Sequence, residues 1–285
     1  MPLSEFPLPA ADAAGDEPPD IRAAPPGPMS CSAIARIEQV ECPAFGHRRD
    51  ARAERTGAEM LPIVLSSGKG SNLYDVDGNR YVDLIAGFGA LVLGHAATPV
   101  LRAVEGQAQR LLMGLGDVYA ADAKVALLER IASLHPGVRP RVMLAQSGSD
   151  AVTCALKTAR LFTGKPGIVA FEGAYHGLGY GPLPACGVRA SYRAPFADQL
   201  NPHVRFAPYA RSAADVDRAL GSVDEAIGHG DVGAVLIEPI LGRGGCVVPP
   251  DAFLKGVVEV AHRRGALVIA DEVWTGIGRS GAMVR

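Results

Sequence analysis

Cysteine is scarce in this chain of 285 residues, and long apolar runs are missing altogether. The five cysteines are odd in number and contain no C-x-x-C pair, so neither a disulfide framework nor a zinc site is expected. No apolar run reaches the roughly 18–20 residues that span a bilayer, and the N-terminus lacks the charged and apolar regions of a signal peptide. The sequence therefore predicts a cytoplasmic protein with no metal site and no membrane partner.

An excess of charge of either sign is also missing. Lys and Arg total 28, Asp and Glu total 30, and the formal net charge is −2. The basic residues are scattered rather than clustered in a stripe, which argues against a nucleic-acid partner. With 48% hydrophobic and 20% charged residues, the composition is typical of a globular chain with one large domain or two smaller ones.

Proline, in contrast, is concentrated at the N-terminus. Eight prolines lie within the first 28 residues, which show almost no periodic apolar pattern. Such a stretch buries too little apolar surface to offset chain entropy, and we expect residues 1–30 to be a disordered tail. We expect residues 31–100 to form the N-terminal portion of a small α+β domain, and residues 101–285 to form a large domain.

The spacing of apolar residues predicts an α/β fold. Residues 72–84 contain two alternating runs separated by Asp77, Gly78 and Asn79, which is a strong short-range hairpin signal. From residue 141 onward, short apolar runs alternate with helical periods, which predicts a mostly parallel sheet flanked by helices. The predicted strands are 141–146, 168–171, 204–207, 234–238 and 267–270, and the predicted helices are 149–162, 213–227 and 252–264.

The first segment with residues suited to ligand binding lies at the start of a predicted helix. In residues 147–152 (SGSDAV), the small Gly148 lets an anion approach the free N–H groups of the first turn, and Ser149 adds a hydroxyl. The alternative is a plain helix N-cap, in which Ser147 and Asp150 form an approximate capping box. Both interpretations stay open from this segment alone.

The last predicted strand ends in Asp271 and Glu272, and ligands of open α/β sheets bind outside the carboxyl ends of the strands. Two nucleotide-binding alternatives fail on their motifs. A Walker-type site requires G-x-x-x-x-G-K-[ST], but the Gly-Lys pair in 68–71 (GKGS) is followed by Gly. The glycines of 177–181 and 242–245 do not complete G-x-G-x-x-G at a strand-to-helix turn.

Four segments, taken in order, are similar to one family: 147–152 (SGSDAV), 171–177 (FEGAYHG), 238–245 (EPILGRGG) and 271–281 (DEVWTGIGRSG). Together they resemble the class-III pyridoxal-phosphate-dependent aminotransferases of fold type I. The hairpin and residues 94–95 resemble the N-terminal part of the same family. The resemblance implies pyridoxal phosphate as cofactor and the transfer of an amino group between an amine or (ω-)amino acid and a 2-oxo acid.

The resemblance also assigns roles around the cofactor. Asp271 stabilises the protonated ring nitrogen through a charge-assisted hydrogen bond. Gly148 and Ser149 hold the phosphate. Tyr175 stacks on one face of the ring, and Val273 packs against the other face.

Five further positions follow from the same resemblance. His176 comes after the stacking residue and orients the turn. Glu238 matches an acid at the substrate side of the cofactor, and a strand-end residue held by the following Pro is the alternative. Trp274 stands where many members carry a Gln bonded to the cofactor, and an indole presents a very different shape. Phe88 and His95 match the segment that lines the substrate entrance, with core packing as the alternative.

A Lys nucleophile is implied as well, and it follows the position of Asp271 by more residues than this chain provides. Every lysine of the chain precedes Asp271: Lys69, Lys124, Lys157, Lys165 and Lys255. We therefore expect a chain that is truncated before its Schiff-base Lys and is inactive or impaired. A non-catalytic remnant, or an aminomutase or decarboxylase on the same fold, is the alternative, and a complete relative is expected to be a homodimer.

Overall fold

The computed structural model describes residues 14–57, 62–116 and 118–284. The chain divides into two compact units, Met1–Tyr119 and Ala120–Arg285, which we call the N-terminal and C-terminal units. The boundary expected at residue 100 instead falls inside a continuous helix, Thr98–Arg110. Within the part of the chain that the structure describes, no helix combines the length and apolar character that a membrane crossing requires.

The N-terminal unit contains a small antiparallel sheet in the order β1-β2-β3. Its helices are α1 (Pro28–Ile37), α2 (Pro43–Thr56) and α3 (Thr98–Arg110), and its strands are β1 (Leu65–Lys69), β2 (Asn72–Asp75) and β3 (Arg80–Val82). The predicted hairpin is confirmed, because β2 pairs with β3 across a turn in which Gly78 has a φ of +82°. Such a positive φ suits Gly, which lacks a Cβ.

The structure differs from the expected disorder of residues 1–30, of which 1–13 lie outside the described residues. Asp20 forms a β-bridge with Arg80, and the backbone N–H of Glu17 donates to Asn72 Oδ1 at 2.9 Å. Asn79 Oδ1 accepts a further hydrogen bond from the backbone of Arg22 at 2.8 Å. Buried Asn side chains of the hairpin thus bind a segment that has little apolar surface of its own, which a periodicity argument does not detect.

The C-terminal unit is built on a parallel sheet in the order β5-β4-β6-β7. Its strands are β4 (Gly167–Phe171), β5 (Val204–Ala207), β6 (Val232–Ile237) and β7 (Leu267–Ala270). Its helices are α4 (Asp122–Leu134), α5 (Gly148–Thr163), α6 (Val216–Gly228) and α7 (Asp251–Arg263). The predicted α/β class is confirmed, together with these four strands and the three predicted helices.

Helices cover both faces of this sheet. Along β4, Val169 and Phe171 point into a core shared with α6 and α7, whereas Ile168 and Ala170 point into a core shared with α5. Successive strand residues face opposite sides, so a strand buried on both faces reads as a continuous apolar run. Phe171, Tyr209 and Phe253 form edge-to-face ring pairs with centroids 5.1–5.8 Å apart in the first of these cores.

The predicted strand 141–146 is wrong. These residues have no strand assignment, and Met143 and Leu144 are 64% and 46% exposed. A strand requires a hydrogen-bonded neighbour, and β7 is paired only with β6 within the described residues. The predicted helix 213–227 also begins differently, since Ala213–Asp215 forms a 3₁₀ turn capped by Ser212 before α6 starts.

Candidate functional site

The parallel sheet brings three predicted segments of the C-terminal unit to one edge. Glu238 directly follows β6, Asp271 directly follows β7, and the loop 172–177 follows β4. Because these strands are parallel neighbours, their carboxyl ends lie at the same edge. Residues more than 90 positions apart in the sequence therefore meet there.

Asp271 and His176 form a buried pair at this edge. His176 Nδ1 lies 2.7 Å from Asp271 Oδ2, and the two side chains are 0% and 6% exposed. Asp271 Oδ1 accepts a hydrogen bond from the backbone of Val273 at 3.1 Å. The orientation of the carboxylate is thus set from both sides. The other ring nitrogen of His176, Nε2, is buried and has no hydrogen-bond partner.

Glu238 joins two loops of the same edge. Its Oε1 accepts the backbone N–H of Tyr175 at 2.7 Å, and its Oε2 accepts that of Gly242 at 3.0 Å. Burial raises the pKa of the Glu238 carboxyl, and the two backbone hydrogen bonds oppose that rise. Tyr209 supports the same turn, because its hydroxyl donates to the Glu238 carbonyl at 3.0 Å. In this structure Glu238 is an acceptor of backbone hydrogen bonds.

The guanidinium group of Arg243 stacks on the ring of Tyr175. The guanidinium carbon of Arg243 lies 4.3 Å from the centroid of the half-buried Tyr175 ring, within cation–π range. One guanidinium nitrogen also lies 3.5 Å from the Tyr192 hydroxyl. The loop after Glu238 is thereby held against the loop after β4.

The first turn of α5 packs against loop 172–179. The Ser147 side chain accepts the N–H of Asp150 at 3.2 Å, which confirms the N-cap. Ser149 Oγ accepts the N–H of Gly179 at 3.1 Å. Gly177 has a φ of +104°, and a Cβ there would lie 2.7 Å from Ser149 Cβ. The close approach of the loop to the helix therefore requires a residue without a side chain.

The residues after Asp271 line the same region. A Cβ on Gly148 would lie 3.0 Å from a methyl group of Val273, and a Cβ on Gly242 would lie 3.0 Å from the Trp274 ring. Val273 is 68% exposed and Trp274 is 37% exposed. The exposed segment after β7 therefore contacts both the helix that carries Ser149 and the loop that carries Arg243.

Phe88 and His95 lie in the N-terminal unit. Phe88 is 87% exposed with a φ of +59°, so core packing is wrong for this residue. His95 Nε2 lies 2.7 Å from Asp83 Oδ2, and this contact lowers the pKa of the Asp83 carboxyl. The substrate-entrance role stays a prediction for both residues.

Several contributors escape sequence reasoning. Cys186 accepts the N–H of His176 at 3.5 Å and donates to the Gly177 carbonyl at 3.0 Å, so a buried thiol supports the turn. Tyr209 bonds to Glu238, 29 residues away, and Arg243 stacks on Tyr175, which is still more distant in the sequence. No local sequence pattern identifies such distant contacts. Gly242 stands inside the motif 238–245, which is the one signal that pointed to its loop.

A separate small cavity of about 190 Å³ is lined by Glu172, Gly173, Pro208, Tyr209, Arg211, Asp215 and Arg218. It contains none of the predicted site residues, whereas the buried pair includes Asp271 and two of the glycine contacts involve Val273 and Trp274, which follow it. Among residues 14–57, 62–116 and 118–284, no group of three or more His, Cys, Asp or Glu side chains is arranged to hold a metal ion.

Comparisons with known proteins identify the family of the chain. The Aminotransferase class-III family model matches residues 53–284. The chain is 38% identical over 222 residues to the acetylornithine aminotransferase of Methanothermobacter thermautotrophicus, covering 78% of this chain and 53% of that protein. It is 35% identical over 257 residues to the 4-aminobutyrate aminotransferase of Mycobacterium bovis, covering 84% and 57%. The chain thus spans about half the length of the curated relatives it matches.

Solved structures show the same fold. An amine transaminase from an uncultivated Pseudomonas species, in its PLP-bound form, superposes with a TM-score of 0.73 at 30% identity, covering 78% of this chain and 55% of that one. The taurine:2-oxoglutarate aminotransferase of Bifidobacterium kashiwanohense, in complex with PLP and glutamate, superposes with a TM-score of 0.73 at 27% identity, covering 80% and 54%. From these matches, the chain belongs to the class-III aminotransferase family.

Proposed function

We propose that this chain binds pyridoxal phosphate at the carboxyl edge of its parallel sheet and serves amino-group transfer between an amine or (ω-)amino acid and a 2-oxo acid. The observation that carries the proposal is the buried Asp271 carboxylate, which is held by His176 and by the backbone of Val273. Such a carboxylate suits a protonated pyridine nitrogen, which a neutral environment does not stabilise.

The surroundings of Asp271 fit the rest of the cofactor. The N-terminus of α5 offers free N–H groups and the Ser149 hydroxyl to a phosphate, and Gly148 keeps that approach free of a side chain. Tyr175 supplies an aromatic ring, and Val273 an exposed apolar side chain. An anion site, an aromatic surface and a buried carboxylate are the three features that a phosphorylated pyridine requires.

Each residue then has a physical task. When bound, pyridoxal phosphate supplies an electron sink for the bonds around the substrate carbon that bears the amino group. Asp271 would hold the proton on the ring nitrogen of the bound cofactor, because its buried carboxylate accepts a hydrogen bond there. His176 fixes the direction of that carboxylate through Nδ1. Glu238 fixes the backbone of Tyr175, and so places its ring.

The substrate class rests on the relatives. The matched proteins are named for acetylornithine, 4-aminobutyrate, amine and taurine substrates, and the last of them for 2-oxoglutarate as well. Each of these names gives an amine or an amine-bearing compound, and one also gives a 2-oxo acid as the second substrate. We propose the same broad class here, and a homodimer as the assembly.

A second, non-catalytic function is favoured by one observation. In the C-terminal unit, Lys157 lies on α5, Lys255 lies on α7, and Lys165 lies before β4, at the sheet edge opposite to Asp271. A Schiff-base nucleophile must reach the cofactor. We propose that the 285-residue chain by itself holds the cofactor without a covalent bond and turns over slowly or not at all.

The test is a titration of the purified chain with pyridoxal phosphate, followed by absorbance and equilibrium dialysis. Asp271→Asn is expected to weaken binding by about 10- to 100-fold, because a buried charge-assisted hydrogen bond contributes about 1.5–3 kcal/mol. Asp224→Asn, at the α6–α7 ion pair, is the matched control and is expected to bind as the parent chain does. Equal affinity in Asp271→Asn and the parent, with both folded by circular dichroism, contradicts the proposal.

Borohydride reduction followed by intact-mass measurement tests the non-catalytic function. We expect no stoichiometric adduct on any of the five lysines. An adduct on one lysine, together with turnover of an amino donor, would replace the non-catalytic function with the catalytic one.

A further inference from the structure

We propose that Arg243 binds a carboxylate of the substrate at the rim of this site, so that the site prefers carboxylate-bearing amino and 2-oxo acids to simple amines. The inference rests on the proposed function and narrows its substrate class. It comes from the position of Arg243, from the lack of an acidic partner among the described residues, and from the chemistry of the guanidinium group.

The position of Arg243 is set by its neighbours. Its guanidinium lies over Tyr175, 4.3 Å from the ring centroid. The preceding residue, Gly242, donates its N–H to Glu238 and packs against Trp274. Arg243 therefore stands beside the proposed stacking ring, on a loop whose backbone is fixed by hydrogen bonding.

The charge of Arg243 has no acidic counterpart within residues 14–57, 62–116 and 118–284. Among the residues that the structure describes, no carboxylate forms an ion pair with it, and its one polar contact is the 3.5 Å hydrogen bond to Tyr192. Glu238, an acid in the same segment, is turned inward and accepts two backbone N–H groups instead. Arg243 is also exposed, so its donors are accessible to a ligand.

Guanidinium chemistry suits a carboxylate in this place. Arg presents five N–H donors in a planar fork that matches a carboxylate with two parallel hydrogen bonds. Stacking on an aromatic ring restricts the side chain and lowers the entropy lost on binding. By comparison, Arg264 of the same unit is exposed but is paired with Asp224 at 2.7 Å.

The chain provides a local reporter for the test. Trp274 is its single tryptophan, and the ring lies against Gly242, the neighbour of Arg243. Fluorescence excited at the indole band therefore reports on the surroundings of Trp274, which include the loop of Gly242 and Arg243. We would titrate the purified chain with glutarate, with its neutral diamide and with inorganic phosphate, in the presence and absence of pyridoxal phosphate.

We expect glutarate to bind the parent chain, and we expect its neutral diamide not to bind. Arg243→Gln, which keeps a planar group for the Tyr175 ring, is expected to weaken glutarate binding about tenfold or more, since charged hydrogen bonds contribute about 1.5–3 kcal/mol. Arg193→Gln is the matched control, because Arg193 lies 4.4 Å over the Phe206 ring and has no place in the proposed site. Its glutarate affinity is expected to match that of the parent.

Three results overturn the inference: no glutarate binding by the parent, equal affinity in Arg243→Gln, or phosphate binding as tight as glutarate with the same dependence on Arg243. The pyridoxal phosphate titration of the same samples separates the two proposals. If any of these results occurs while the chain still binds pyridoxal phosphate, only the proposed role of Arg243 is contradicted. Loss of cofactor binding in the parent defeats the proposed function itself.

Discussion

Glu238 illustrates how a single side chain sets the geometry of the site. Both carboxyl oxygens are used by backbone N–H groups, those of Tyr175 and Gly242. The residue is 6% exposed, so water does not replace a lost acceptor. A change at Glu238 therefore acts on two loops at once.

We predict that Glu238→Gln destabilises the chain by about 1–3 kcal/mol. The amide offers one acceptor oxygen in place of two, which leaves one buried backbone N–H without a partner. Urea denaturation at neutral pH measures the change, and Glu259→Gln, at an exposed position of α7, is the control. A loss equal to that of the control would show that the two hydrogen bonds are not needed.

The same pair of variants gives a pH dependence with a defined sign. Burial raises the pKa of Glu238 above its ordinary value of 4.5. Between that ordinary pKa and the folded pKa, the folded chain therefore binds the proton more tightly than the unfolded chain. Stability contributed by Glu238 is therefore present below pH 4.5 and is lost as the pH rises through the folded pKa. The difference in unfolding free energy between parent and Glu238→Gln is expected to shrink as the pH rises from 4.5 through the folded pKa. A difference that grows over this range contradicts the assignment.

At the scale of elements, the contact between α5 and the loop after β4 depends on Gly177. Its φ of +104° is strained for any other residue, and a Cβ would lie 3.0 Å from the Ser149 Cα, which belongs to the helix backbone. A flexible side-chain end could move away from such a contact, but a helix backbone atom moves only with its helix.

We predict that Gly177→Ala costs about 1–3 kcal/mol of stability and weakens pyridoxal phosphate binding, because the loop must withdraw from the first turn of α5. Thermal and urea unfolding measure the first effect, and equilibrium dialysis the second. Gly221→Ala is the control, since Gly221 lies within α6 and a Cβ there meets nothing within 4 Å. That substitution is expected to stabilise the chain by about 0.5–1 kcal/mol.

For the whole molecule, exposed apolar side chains are the dominant property. In the C-terminal unit, Val138, Leu161, Phe162 and Ile277 are between 72% and 92% exposed. Leu161 and Phe162 are adjacent on the last turn of α5. Exposed apolar surface of this kind is typical of sites that another protein surface covers, and it supports association of the chain.

We predict that the purified chain sediments as species larger than a monomer. The double variant Leu161→Ser with Phe162→Ser is expected to lower the association constant about tenfold or more, since each large apolar side chain contributes about 1.5–3 kcal/mol when buried. Glu225→Ser, at an exposed position of α6, is the control. A parent chain that remains monomeric at all concentrations would contradict this prediction.

Much of the fold was predictable because its signals are local. The strands 168–171, 204–207 and 267–270 and the helix of residues 149–162 lie within a residue or two of their predicted bounds, since apolar periodicity and the Ser147 cap are short-range features. The strand 141–146 failed for the opposite reason. A strand forms only where a neighbouring strand is available for hydrogen bonding, and a local apolar run does not show whether such a neighbour exists.

The sequence alone identified the family and located the segments proposed for its site, because the order of four motifs needs no coordinates. Tertiary structure decided how the residues of those segments act. His176 meets Asp271 across 95 positions, and Tyr175 meets Glu238 across 63. Sequence spacing does not encode such contacts, because parallel strands bring their ends together only after the sheet has formed.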